Sequence, residues 1–230
     1  MMKEIKQVIL RYNLPDDLPQ RYGHKLRGFF ANNFSEVLFH NHKENGENRY
    51  GYPLIQYKII NGDPVVIGLE KGAELIIENF LDIKELVLAG EKYTNPEGRL
   101  KVNELELKVH SDLRIPKYKY ELITPWMGLN QSNYKKYKNK IESKPEEVQW
   151  DFLKKILIGN ILSFAKGIDW WVEDEIELVP DLEAINVKFK NKDMIGFVGE
   201  FYSNIRLPNK IGLGQSTARG FGTIDRSELV

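Results

Sequence analysis

The sequence predicts an α+β chain made of two tandem ferredoxin-like (RRM-like) domains, the C-terminal one degenerate and closing on a glycine-rich loop. Three observations predict it. The first half of the 230 residues runs strand, helix, strand, strand, helix, strand by the spacing of its apolar positions. A polar stretch at 110–117 then breaks the pattern. The second half resumes it with one strong helix and only part of the strand set. The expected division is 1–110 for the N-terminal domain, 111–117 for a linker and 118–230 for the C-terminal domain.

Residues 3–12 read as a strand, ended by Pro15, Asp16, Asp17 and Pro19. Leu26, Phe29, Phe30 and Phe34 then recur at the spacing of one helix face. A turn-rich segment at 41–48, flanked by His40, His42 and Tyr50, belongs at the surface. Strands at 52–60 and 64–69 are joined by Asn61-Gly62-Asp63, a strong hairpin signal. A helix follows at 72–81, with Ala73, Ile76, Ile77 and Phe80 on one side. Strands at 85–89 and 100–109, divided by a turn at 95–98, complete the first set.

Strand resumes at 118–124, and residues 144–166 form the best helix, opened by Pro145 and Glu146. Its expected apolar stripe is Trp150, Leu153, Ile156, Leu157 and Ile161. Strands at 183–189 and 196–203 come next, with the second helix of the motif missing or reduced. Trp170 and Trp171 are expected to close the core at the end of the long helix.

Apolar residues make up 42% of the chain and charged residues 29%, enough to bury real cores. There is no cysteine, which excludes disulfides and thiolate metal sites and fits a reducing, cytoplasmic location. No signal peptide is visible ahead of the first strand, and no apolar run nears the ~20 residues that cross a bilayer, so no membrane partner is expected. The 33 basic and 33 acidic residues cancel, which argues against a non-specific nucleic-acid coat but not against a local phosphate-binding patch.

The most distinctive stretch is 211–224, with glycines at Gly212, Gly214, Gly220 and Gly222. It is no dinucleotide fingerprint, because too little chain follows it for the helix of a βαβ unit. It is no phosphate loop either, lacking the Gly-Lys-Ser/Thr ending. Glycine allows close backbone approach to a phosphate or base, and Arg206, Lys210 and Arg219 can neutralise phosphates beside it. A tight connection between strands is the plainer alternative.

The chain has four histidines: His24, His40, His42 and His110. Imidazole exchanges protons near neutral pH, and two rings with opposite protonation can take a proton from an RNA 2′-hydroxyl and give one to the departing 5′-oxygen. If the segment is extended, His40 and His42 face the same side. They can equally be solvated loop residues, or half of a zinc site, although no acidic ligand cluster sits close by. Two runs suit RNA. Lys188, Lys190 and Lys192 lie two apart, on one face if 187–192 is a strand. Residues 133–140 interleave Tyr134 and Tyr137 with four lysines, among them Lys135 and Lys136. Either run can also be a solvated face.

Gly212-Leu-Gly214 followed by Ser216-Thr-Ala-Arg-Gly-Phe-Gly222 resembles the signature loop of the CRISPR repeat-processing endoribonucleases, the Cas-six family. Far away, His40-Asn-His42, Tyr50 and Tyr52-Pro-Leu-Ile-Gln-Tyr-Lys58 resemble the N-terminal half of its b branch. So do Tyr22-Gly23 and Lys25-Leu-Arg-Gly-Phe-Phe30, and the matched segments together span nearly the whole chain. The resemblance implies that His40, His42 and Tyr50 occupy the active-site region with Lys25 near the phosphate. One histidine is then the general base and the other the general acid, in an order left open, as is a purely binding role for one of them. His24 stays a candidate, and His110, at the linker, is read as structural.

The implied RNA contacts are Lys135, Lys136, Lys188, Lys190, Arg206, Lys210, Gly212, Gly214, Arg219, Gly220 and Gly222. The implied activity is metal-independent cleavage of CRISPR repeat RNA in the precursor transcript, with no cofactor and no metal, leaving a 2′,3′-cyclic phosphate and a 5′-hydroxyl. A CRISPR effector complex and a second copy of the chain are further candidate partners. A non-catalytic RNA-binding subunit of such a complex is the alternative, and a protein–protein adaptor a third; the histidine pair and the lysine–tyrosine run speak against them in turn.

Overall fold

The computed structural model describes residues 2–40, 51–111, 117–190 and 192–228. Packing divides the chain into two compact units. One holds Glu4–Leu105 together with Thr217–Gly220; the other holds Met1–Lys3, Glu106–Ser216 and Phe221–Val230. The tip of the glycine-rich segment therefore belongs with the N-terminal residues, while its two arms belong with the C-terminal ones.

The N-terminal unit runs β1 (Lys3–Asn13), α1 (Gly23–Asn33), α2 (Val37–His40), β2 (Ile55–Ile60), β3 (Asp63–Leu69), α3 (Lys71–Asn79), β4 (Glu85–Leu88), β5 (Glu91–Thr94) and β6 (Glu97–Leu107). Its main sheet has the order β2-β3-β1-β6, that of a ferredoxin-like domain, with β3 antiparallel to both β1 and β2. The β2–β3 turn carries Asn61 at φ 51° and Gly62 at φ 83°, as a two-residue hairpin twisted with its strands requires. Strand alternation sends Val8, Leu10, Tyr12, Ile55, Tyr57 and Val66 to the helical side, where Leu26 and Phe30 of α1 and Ala73 and Ile76 of α3 close the core. The opposite face of the sheet holds buried polar residues, Gln7, Gln56 and Lys58.

The C-terminal unit runs β7 (Tyr118–Leu122), α4 (Gln131–Lys136), α5 (Glu146–Gly167), β8 (Leu178–Phe189), β9 (Lys192–Ser203) and β10 (Ile224–Glu228). Its sheet order, β10-β7-β9-β8, repeats that of the first unit, and each of its strand pairs is antiparallel. Among the described residues no α-helix lies between β9 and β10; the glycine-rich segment takes that place. Helix α5 buries Leu153, Leu157, Ile161 and Phe164, whereas Trp150 and Ile156, expected in that stripe, are half-buried beside it. None of the helices formed by described residues is long and apolar enough to cross a membrane.

Four details correct the sequence reading. Trp170 is buried, but Trp171 is 77% exposed and closes nothing. Residues 187–192 do not form one strand: the chain reverses between β8 and β9, pairing Lys188 with Asp193 and Phe189 with Lys192. Tyr137 is a core residue, its hydroxyl donating to Gln149 Oε1 at 2.7 Å, so its ring is not offered to a base. Finally, β4 returns through Ala89 and Gly90, both at positive φ, to pair with β5 as a separate two-stranded ribbon.

Candidate functional site

The glycine-rich segment is a hairpin. Leu213 N donates to Gly222 O, Ile224 N to Ile211 O and Lys210 N to Ile224 O, and Gly212 faces Thr223 in an antiparallel bridge. Gly222 sits at φ 62°, and a Cβ there would meet Leu213 O at 2.0 Å, so this glycine is demanded by the ladder itself. The arms thus form a tight connection between β9 and β10. Lys210 is engaged in a 2.5 Å ion pair with Asp225, and Arg206 reaches the Glu106 carbonyl at 3.4 Å. Phe221 meets Phe189 edge to face at 5.7 Å, which brings the exposed Lys188 and Lys190 of the β8–β9 turn beside the hairpin.

The tip of the hairpin lies against α1 and β2 within the N-terminal unit. Gly23 opens α1 without a Cβ because the Arg219 carbonyl would stand 2.6 Å from one. Gly220 lies next to Tyr57 O and the Lys58 backbone. One turn after Gly23, on the same face of α1, comes Arg27. Burial and then the nearby Arg219 guanidinium hold Arg27 below the usual arginine range, while Tyr57 acts in the opposite sense. Two half-buried guanidinium groups are thus brought together beside a tyrosine. Guanidinium groups recognise phosphate oxygens through paired, charge-assisted hydrogen bonds.

The same neighbourhood anchors the histidine segment. Phe30 packs on Phe34, Phe39 and Tyr57 with ring centroids 5.8, 6.0 and 5.3 Å apart, and Phe34 meets Phe39 at 4.9 Å. Each such pair is worth about 0.5–1.5 kcal/mol beyond its buried area. The Tyr57 hydroxyl donates to the Phe39 carbonyl at 3.2 Å. A four-residue helix has little stability of its own. The aromatic cluster and this hydrogen bond fix α2, and with it the chain at His40, where α2 ends.

His42 and Tyr50 lie outside the described residues, as does the turn-rich segment between them. Lys25 is exposed and, at 100° per residue, projects from the side of α1 away from Gly23 and Arg27. His24 is exposed, with Nδ1 donating to the Arg21 carbonyl at 2.6 Å. His110 holds the Tyr118 hydroxyl through Nε2 at 2.9 Å, the structural role expected of it. Lys135 and Lys136 are exposed on α4. Gly212, Gly220 and Gly222 are buried and Gly214 half-buried. Arg27 went unread in the sequence because a lone arginine on an amphipathic helix looks solvated; its partner comes from the other end of the chain.

Two family models match the chain: the Cas6b N-terminal domain over residues 3–106 and the Cas6b C-terminal domain over 113–227. A solved structure described as Cas6b is 35% identical, with a TM-score of 0.88 over 98% of this chain and 100% of the other. A second, described as the CRISPR RNA processing endoribonuclease Cas6b, is 31% identical, with a TM-score of 0.73 over 97% of this chain and 100% of that one. An uncharacterized protein of Methanocaldococcus jannaschii is 40% identical over 152 residues, 66% of this chain and 98% of that protein.

Proposed function

The chain belongs to the Cas6b family, and from that premise we propose that it binds CRISPR repeat RNA in the precursor transcript and cuts it without a metal ion to release guide RNAs. One histidine of the pair His40 and His42 removes the 2′-hydroxyl proton. The 2′-oxygen attacks the adjacent phosphorus, the bond to the 5′-oxygen breaks, and the other imidazole returns a proton to that oxygen. The products are a 2′,3′-cyclic phosphate and a 5′-hydroxyl, and no water is consumed. Tyr50 orients the 2′-oxygen or the phosphate, and Lys25, on the far side of α1 from Arg27, adds positive charge only at longer range.

The observation that carries this reading is the Arg27–Arg219 pair beside Tyr57, whose hydroxyl holds the carbonyl next to His40. A phosphate seated between the guanidiniums would be close to the histidine segment. It would also gain charge-assisted hydrogen bonds as negative charge grows on the phosphorane. The exposed Lys188 and Lys190 supply further phosphate contacts along the RNA.

The test is His40→Ala and His42→Ala, compared in single-turnover cleavage of saturating repeat RNA and in binding of a substrate whose cleavage-site 2′-hydroxyl is replaced by hydrogen. Losing a general acid or base costs on the order of 10²- to 10⁴-fold in rate, whereas a phosphate-dominated interface barely registers one neutral side chain. Near-normal cleavage by both variants would move the active site elsewhere, with His24 next in line. Equal loss of binding and cleavage would make the histidines recognition residues and leave a non-catalytic RNA-binding subunit as the reading.

A further inference from the structure

Helix α5 has a second, partly open face beside its buried stripe. Phe152, Ile156, Gly159 and Asn160 recur there at helical spacing and, with α4 and the hairpin residues Gly214 and Gln215, line an open cavity of about 600 Å³. That volume lies within the ~300–1,000 Å³ of small-ligand sites. Gly159 sits in the interior of a 22-residue helix, where glycine is the poorest former after proline, yet a Cβ built on it would meet nothing within 4 Å. Packing therefore does not require this glycine. What it preserves is empty space on the cavity floor.

The lining has the chemistry of a nucleotide. Phe152 is half-buried, with the Lys136 ammonium 5.2 Å from its ring centre, and Lys155 stands on the same rim. No carboxylate occurs among the described residues that line the cavity. Asn160 uses its Oδ1 to accept from Trp126 Nε1 at 2.9 Å, which leaves its amide N–H groups for the cavity. Gln215 uses its Nε2 to donate to the Leu129 carbonyl at 2.7 Å, which leaves its oxygen. A donor, an acceptor, an aromatic ring and two cations in one recess are the elements by which proteins hold unstacked RNA bases and their phosphates.

We infer that the recess between α4, α5 and Gly214–Gln215 is a second RNA subsite that takes one nucleotide of single-stranded RNA, its base against Phe152 and its flanking phosphates on Lys136 and Lys155. The inference rests on the RNA-binding reading above and extends it to a face of the C-terminal unit remote in sequence from the histidines. It gives the first arm of the glycine hairpin a ligand of its own.

The experiment measures fluorescence anisotropy of end-labelled rA, rC and rU oligomers of about ten nucleotides, a length within the range of single-strand sites. Gly159→Leu fills the floor and favours helix, so its melting temperature should rise while its affinity for at least one oligomer falls fivefold or more. Lys136→Ala with Lys155→Ala should lower the log–log salt slope by about 1.4, at about 0.7 per phosphate of a single strand. Leu162→Gln, on exposed surface of α5 outside the recess, should bind as the wild type does. Unchanged affinity in Gly159→Leu, with the wild type binding normally, overturns the subsite and leaves the RNA reading intact. A wild type that binds neither the oligomers nor repeat RNA overturns both. Free AMP or CMP that raises the melting temperature of the wild type but not of Gly159→Leu assigns the recess to a mononucleotide and overturns the RNA subsite.

Discussion

Lys58 allows a stability prediction worked directly from the structure. It sits mid-strand in β2, opposite Val65, with no exposed surface, and the backbone of the hairpin tip at Gly220 lies over it. Burial pushes its ammonium down to about 7 from an ordinary 10.5. Between those values the unfolded chain binds a proton that the folded chain has released, so stability rises with pH through that window. Below it both states are protonated and the folded state bears the whole penalty, about 5 kcal/mol at 1.36 kcal/mol per pH unit. Lys58→Met keeps the stem and removes the titration. Its stability advantage over the wild type should be greatest near pH 6 and shrink by about 3 kcal/mol by pH 9, the integral of the two titration curves. Urea unfolding of both proteins across that range reads it. An advantage that does not change with pH would refute the argument, because it would mean that Lys58 titrates alike in the folded and unfolded chains.

Two further outcomes follow from the site. Arg27→Ala and Arg219→Ala should each slow cleavage of bound repeat RNA by about 10²-fold, as for loss of one charge-stabilising donor, and the double variant should fall short of the product of the two, since both would grip one phosphate. Arg27→Lys should not restore the rate, because a point charge cannot replace a planar fork. Lys188→Ala with Lys190→Ala should flatten the salt dependence of binding by about 0.7–0.9 per lost phosphate contact; an unchanged slope would turn the β8–β9 turn away from RNA.

Both sheets could be anticipated because their strands follow a period of two and their helices a period of 3.6, and Asn61-Gly62 marks a hairpin on its own. What escaped notice lacked such punctuation. Strand β10 reads Ile224-Asp-Arg-Ser-Glu228, a polar edge strand whose pairing with β7 no apolar alternation announces. Helix α4 spans six residues and owes its start to Asn130, whose side chain accepts from Asn133 N at 2.8 Å, a cap too local to stand out in a lysine-rich run. The turn at Lys190 has φ 48° with neither glycine nor proline in 187–192, so a strand was the natural expectation there. The glycine hairpin was conspicuous as a motif, but its tip joining α1 and β2, and hence the pairing of Arg219 with Arg27, is a tertiary fact. Spacing along the chain carries no information about it.

The central claim, that this chain cuts repeat RNA by neighbouring-hydroxyl attack, is tested most directly by mapping the ends it makes. Repeat RNA is incubated with the protein in excess EDTA and the products are analysed for terminal chemistry. The account predicts one cut per repeat, with a 2′,3′-cyclic phosphate on the upstream fragment and a 5′-hydroxyl on the downstream one. Cleavage that needs added Mg²⁺ or Mn²⁺, or that leaves a 5′-phosphate, would contradict it.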